Sequence, residues 1–213
     1  MALILDIQPY EKTRLGVWRI DETAEFFSSN LILSVAEKSL LSTLLPTKKL
    51  EWLASRYVLD QILDHPDRID TGTLPSGKPI LIGRDEEISL SHSDNYVAAM
   101  IGNTSVGIDI QRCKNKILQL EHKFASAEES ALIDRSQAVV HLHILWGAKE
   151  ALYKIYSKKQ LNFVSQIFVY LSPQIRENGE FSGMVKVSGE ILHCKLSYLV
   201  LDHYVLVYGQ INT

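Results

Sequence analysis

An apolar run long enough to cross a bilayer, roughly 20 residues, is missing from this chain of 213 residues. Cysteine is scarce: Cys113 and Cys194 stand far apart and match no metal-ligand spacing. Reduced thiols in a cytoplasmic protein are the expectation that follows. Neither sign of charge prevails. A net charge of -3 and a pI near 6.2 argue against a broad nucleic-acid surface. There is no H-E-x-x-H and no G-x-S-x-G, so the usual zinc helix and the hydrolase nucleophile elbow are excluded. The opening MALILDIQPYEK has neither the basic stretch nor the small-residue cleavage site of a secretory signal, and it is expected to be a first strand.

What is present is a globular composition, 46% apolar and 22% charged, enough for one large domain or two small lobes. MALILDIQ and RLGVWRID read as strands. SVAEKSLLSTLL reads as a helix capped by Ser34. Pro46 is expected to break it, and Thr47 to cap a second helix from Lys48 to Leu63. That helix would bury Leu50, Leu53, Ala54, Val58 and Ile62, and turn Trp52, Arg56 and Asp60 another way. HPDRIDTGTLPSGKP reads as loop. ILIG, EISLSHS, YVAAMIG and VGIDIQ follow as strands. Ser126 and Glu129 in FASAEE have capping-box spacing, and a long helix spans about residues 136 to 157. QIFVYLS, GMVKVSG, ILHCKLSYLV and HYVLVYGQ close the chain as strands. Helix then strands, twice over, suggests two lobes of similar design, residues 1–103 and 104–213.

Several short stretches could carry chemistry. Within VGIDIQ, Val106, Ile108 and Ile110 point one way and Gly107, Asp109 and Gln111 the other. An Asp there is either bonded to loop amides at a sheet end or paired with a metal. In WGAKEALYK, the 3.6-residue period puts Trp146, Lys149, Glu150, Tyr153 and Lys154 on one face. Glu150 and Lys154 alone would make an ordinary i,i+4 surface pair. Trp146 and Tyr153 beside them argue for something more specific, such as a carboxylate with cations suited to Mg²⁺ and phosphate. His92 in SLSHS is either a loop cap or an anion contact. SGKP would pass as a surface turn. His141 and His143 stand at i and i+2 of a helix and do not face each other, which speaks against zinc. The Lys pairs of PTKKL and YSKKQ, and the basic QRCKNK, read as solvated surface or as parts of an anion pocket.

Taken in order, SGKP, SLSHS, VGIDIQ, FASAEE and WGAKEALYK resemble the signatures of the 4'-phosphopantetheinyl transferase superfamily, in its two-lobed Sfp-like class. These signatures are a G-[IV]-D-[ILV]-E strand, a preceding S-H-S strand and a W-x-x-K-E-A-x-x-K helix, and the likeness extends from about Lys48 to the last strands. The resemblance implies an α+β fold of two pseudo-symmetric lobes. Each would be a small, mostly antiparallel sheet packed on a long helix, with the active site in the cleft between them. It implies transfer of the phosphopantetheine arm of coenzyme A to a serine of an apo acyl or peptidyl carrier protein, releasing adenosine 3',5'-bisphosphate. Asp109 and Glu150 would hold Mg²⁺, with Gln111 as a third ligand acting directly or through water. Glu150 would also take the serine proton, and Lys154 would serve the leaving phosphate. Lys149 would contact the same anionic region. Ser76, Gly77, Lys78 and Pro79 would border the adenine and phosphates. Ser91 and His92 would meet the phosphates, and Arg56 with Lys48 or Lys49 would complete that pocket. Arg112, Lys114 and Lys116 are candidates for a basic rim facing an acidic carrier. A cytoplasmic monomer, with no nucleic acid or membrane partner, is expected.

The chain departs from the pattern in places. Gln111 stands where the family has a third acid, and a Gln carbonyl brings no charge. YSKKQL lacks the glycines often found after the second Lys, and Asp60 stands where many relatives have a basic residue. Two other readings stay open: a non-catalytic relative that binds coenzyme A or a carrier, and another coenzyme A-using enzyme such as an acyltransferase. The last would have no need of Asp109 and Glu150 together.

Overall fold

In the computed structural model, which describes residues 3–63, 70–158 and 161–212, the chain divides into two α+β units, Met1–Asn103 and Thr104–Thr213. The first opens with β1 (Leu3–Ile7) and β2 (Thr13–Arg19), followed by helices α1 (Ala24–Ser29), α2 (Val35–Thr43) and α3 (Pro46–Leu63). Strands β3 (Thr71–Thr73), β4 (Pro79–Leu81), β5 (Glu87–Ser93) and β6 (Tyr96–Gly102) complete it. All pair antiparallel in the order β1-β2-β6-β5-β4-β3. Helix α3 lies against β2 and β6 and buries Leu53, Ala54, Val58, Leu59 and Ile62. Leu50, expected in that stripe, is only half-buried.

Ser34 caps α2 through a full capping box with Glu37. Thr47 does not cap α3, because Pro46 is itself the first helical residue. A missing N–H costs nothing at that position and the ring fixes φ for the helix. The segment expected to be all loop contains β3, whose three residues pair with β4. Residues 65–69 of that segment lie outside the described residues.

The second unit contains β7 (Val106–Arg112), α4 (Ile117–Leu120), α5 (Ala127–Ala131) and the long α6 (Ala138–Tyr156). Then come β8 (Ile167–Tyr170), β9 (Asn178–Val187), β10 (Glu190–Leu201) and β11 (Tyr204–Ile211), in an antiparallel sheet of order β7-β11-β10-β9-β8. Two-residue turns join β5 to β6, β9 to β10 and β10 to β11. Their first residues, Asp94, Ser188 and Asp202, take positive φ, as hairpin turns matching strand twist require. Among the described residues no helix is long and apolar enough to cross a membrane.

Both units share one connectivity. A strand (β2 or β7) leads to a long helix (α3 or α6), and a four-stranded meander then returns so that its last strand pairs with the first. Contact of the first strand with its helix is alike too. A Cβ on Gly16 would lie 2.7 Å from Ile62 and 3.2 Å from Val58 of α3, and one on Gly107 2.1 Å from the Ala151 carbonyl of α6. Only residues without a side chain let backbone and helix approach so closely. β1, on the outer edge of β2, has no counterpart among the described residues of the second unit.

Candidate active site

The close approach at Gly107 brings α6 down onto β7. Gly147 extends it, since a Cβ there would lie 2.8 Å from Val207 of β11 and 3.7 Å from Asp109 Oδ2. On β7, strand alternation turns Asp109 to the same face as Gly107, toward the helix. Its carboxylate, only 3% exposed, accepts from two side chains. Lys154 Nζ donates to Oδ1 at 2.9 Å and to the Ile108 carbonyl at 2.6 Å, while Gln111 Nε2 donates to Oδ2 at 2.9 Å. Glu150 lies one helical turn before Lys154. Burial pushes its carboxyl up to about 7, with the Asp109 charge adding and the Lys154 ammonium opposing. Asp109, Gln111, Glu150 and Lys154 thus come together on the face between β7 and α6.

In the first unit the equivalent ground is apolar. Two residues past Gly16, where Asp109 follows Gly107, stands Trp18. Its ring packs on Tyr57 of α3 at 5.1 Å, edge to face. Tyr57 precedes Val58 as Glu150 precedes Ala151, so an aromatic pair occupies the place of the carboxylate pair. The two units share the scaffold, and one of them carries the acids.

Lys149 does not join this group. Five residues separate it from Lys154, about 140° around the helix axis, so the two ammonium groups leave opposite edges of one stripe. Lys149 is fully buried. Its Nζ lies 2.6 Å from Glu129 Oε2 and donates to the Phe163 and Ile167 carbonyls at 2.7 and 2.8 Å. Burial lowers its pKa and Glu129 opposes that shift. All three donors are therefore spent inside the unit, which corrects the expected phosphate contact. Glu129 was visible in the sequence only as a cap. It accepts from Ser126 N at 2.8 Å in that role, and also from Val169 N of β8 at 3.0 Å. One buried carboxylate so ties α5, β8 and α6 together.

Trp146 and Tyr153 pack rather than react: Trp146 meets Phe124 at 5.1 Å and Phe163 at 5.4 Å, and Tyr153 meets Phe163 at 5.9 Å. His141 Nδ1 accepts from Asp134 N at 3.1 Å. His143 donates through Nδ1 to the Val139 carbonyl at 2.7 Å, and its Nε2 accepts from Lys114 N at 3.3 Å. His141 thus fixes the chain leading into α6, and His143 ties the segment just after β7 to that helix. Arg112, Lys114 and Lys116 are exposed at the end of β7 and just beyond.

The remaining candidates lie in the first unit. Lys48 Nζ is 2.7 Å from Glu51 Oε2, and His92 Nδ1 is 3.6 Å from the same oxygen. The Arg56 guanidinium stacks over the Trp52 ring at 4.6 Å and donates from Nε to Thr71 Oγ1 at 3.2 Å. Burial lowers its pKa to about 10. Ser76, Gly77 and Lys78 lie in the turn that closes the β3–β4 hairpin, with Leu74 N donating to the Lys78 carbonyl at 2.9 Å, and Pro79 opens β4. The Lys78 ammonium is in an ion pair with Glu87. Ser91 is buried within β5. Lys49, half-buried on α3, acts on Glu25 of α1.

Among the described residues no three His, Cys, Asp or Glu side chains are placed to hold a metal ion. The oxygen donors are the two carboxylates of Asp109 and Glu150, a set suited to Mg²⁺, which keeps several waters. Two acids drawn together under burial, one of them pushed up by the other's charge, would be relieved by a divalent cation. Gln111 presents its amide nitrogen to Asp109 and, as placed, serves the carboxylate rather than a cation.

Two comparisons with known proteins bear on the chain. Residues 105–206 match the model of the 4'-phosphopantetheinyl transferase superfamily. The chain is also 30% identical, over 110 residues, to the 4'-phosphopantetheinyl transferase psf-1 of Bacillus pumilus. That alignment covers 48% of this chain and 46% of the relative, so the chain spans about half the length of the curated protein it matches. The stretch that matches the family model contains Asp109, Gln111, Glu150 and Lys154, so the likeness to the 4'-phosphopantetheinyl transferase superfamily falls on the residues of this site.

Proposed function

We propose that the protein transfers the 4'-phosphopantetheine arm of coenzyme A to a serine hydroxyl of an apo acyl or peptidyl carrier protein. The observation that carries this reading is the convergence of Asp109, Glu150 and Lys154 on the face between β7 and α6. In the reaction the serine oxygen attacks the phosphorus that bears pantetheine. The bond from that phosphorus to the adenosine side breaks, and adenosine 3',5'-bisphosphate leaves. Glu150 accepts the serine proton, a role suited to a carboxylate raised to about 7. Lys154 meets the charge that develops on the departing phosphate.

A Mg²⁺ ion held by Asp109 and Glu150 would supply charge against the pyrophosphate. Asp109 keeps Lys154 in place, its Oδ1 accepting from the ammonium. Lys48, Arg56, Ser91, His92 and the Ser76–Pro79 turn are assigned to coenzyme A on this reading, and Lys149 to the scaffold. The protein would work in the cytoplasm as a monomer, where its two free cysteines stay reduced.

A non-catalytic relative that binds coenzyme A or a carrier is the second reading. Gln111, neutral and turned to Asp109 by its nitrogen, favours it. Intact-mass measurement of an apo carrier incubated with the protein, coenzyme A and Mg²⁺ separates the two. Gain of one phosphopantetheine group supports transfer, and no gain on several carriers refutes it.

A further inference from the structure

Each cation of the first unit assigned to phosphate already faces an acid. Lys78 is in an ion pair with Glu87, and Arg56 feels the charge of Glu37. Lys48 and His92 share Glu51. The last arrangement differs in kind, because a single oxygen, Glu51 Oε2, is approached by groups from two elements. Lys48 comes from the first turn of α3, and His92 from the end of β5. An ammonium and an imidazole that converge on one oxygen can also converge on one phosphate. The side chains of Lys48 and His92 are 58% and 45% exposed, against 21% for Glu51, so an incoming anion can reach them.

We propose that Glu51 is an internal counter-anion of a phosphate-binding site formed by Lys48 and His92, displaced when a phosphate monoester binds. This rests on the transferase reading above and deepens it: Glu51 would set how tightly coenzyme A and the adenosine 3',5'-bisphosphate product are held. The exchange is physically reasonable. Exposed ion pairs hold weakly, and a phosphate monoester brings roughly twice the charge of a carboxylate. Competition by Glu51 weakens binding, which favours product release.

The test is titration calorimetry of the full chain with adenosine 3',5'-bisphosphate at fixed ionic strength, comparing wild type, Glu51→Gln and Glu11→Gln. Glu11 is exposed in the β1–β2 turn and controls for net charge alone. Glu51→Gln is expected to bind the bisphosphate about 2- to 10-fold more tightly, with Glu11→Gln unchanged. Gln has the shape of Glu, and the Glu51 main-chain carbonyl still accepts from Ser55 Oγ, so the fold is expected to persist; a melting curve checks it. Affinity of Glu51→Gln equal to or weaker than wild type overturns the proposal. So does equal tightening by Glu11→Gln, or no binding by wild type. Carrier modification is measured alongside. If wild type transfers the arm and Glu51→Gln binds no tighter, only the counter-anion falls; if wild type transfers nothing, the transferase reading falls.

Discussion

Replacing Lys149 by Met removes a cation that no solvent touches and strands three acceptors. They are Glu129 Oε2 at 2.6 Å and the Phe163 and Ile167 carbonyls at 2.7 and 2.8 Å. Breaking a buried ion pair by deleting one partner costs about 3–5 kcal/mol. Glu129 retains its bonds from Ser126 N and Val169 N, which compensate part of its charge, so the lower end, about 3 kcal/mol, is expected. That is a large share of the roughly 5–15 kcal/mol that holds a protein folded. Urea unfolding at neutral pH measures it. Glu129→Gln combined with Lys149→Met should be less destabilised than the two single losses added together, because no uncompensated charge is left. A Lys149→Met protein within about 0.5 kcal/mol of wild type, with a raised KM for coenzyme A, would refute the reasoning and return Lys149 to the phosphates.

Two further outcomes follow from the packing around α6. Gly107→Ala would put a Cβ 2.1 Å from the Ala151 carbonyl. Backbone cannot yield as a side-chain tip can, so a loss of about 3 kcal/mol is expected, read as a lowered melting temperature; an unchanged melt would mean that α6 does not rest on β7. His141 and His143 are lowered from 6.5, chiefly by burial, and each accepts from a backbone N–H. With folded values below the unfolded one, their stabilisation is complete above pH 6.5 and is lost as pH falls through the folded values. Urea midpoints should therefore drop between about pH 7 and pH 5, and drop less in His143→Gln; an equal drop in both would place the titration elsewhere.

Much of this architecture could be read from local pattern. The capping boxes at Ser34 and Ser126 are complete in four residues each, and alternation along VGIDIQ turns Asp109 to the helix. Ser157 takes the left-handed position at the end of α6, φ 51°, where the family's glycines were missed, with its hydroxyl on the Lys154 carbonyl. What could not be read is non-local. Helical spacing sets Lys149 and Lys154 about 140° apart but cannot say what each edge faces, because the partner of Lys149 sits on another helix, α5. Glu129 and Glu51 have ordinary local roles, a cap and an i,i+3 pair, and their second partners are far along the chain. β3 is too short for its pattern to outweigh the turn residues around it.

The central claim is that Glu150, which feels the charges of Asp109 and Lys154, takes the proton of a carrier serine. Its most direct test is the intact mass of an apo carrier after incubation with coenzyme A, Mg²⁺ and either wild type or Glu150→Gln. Wild type is expected to add one phosphopantetheine group, and Glu150→Gln to be at least about 100-fold slower while still binding coenzyme A. Equal rates for the two proteins would contradict the account.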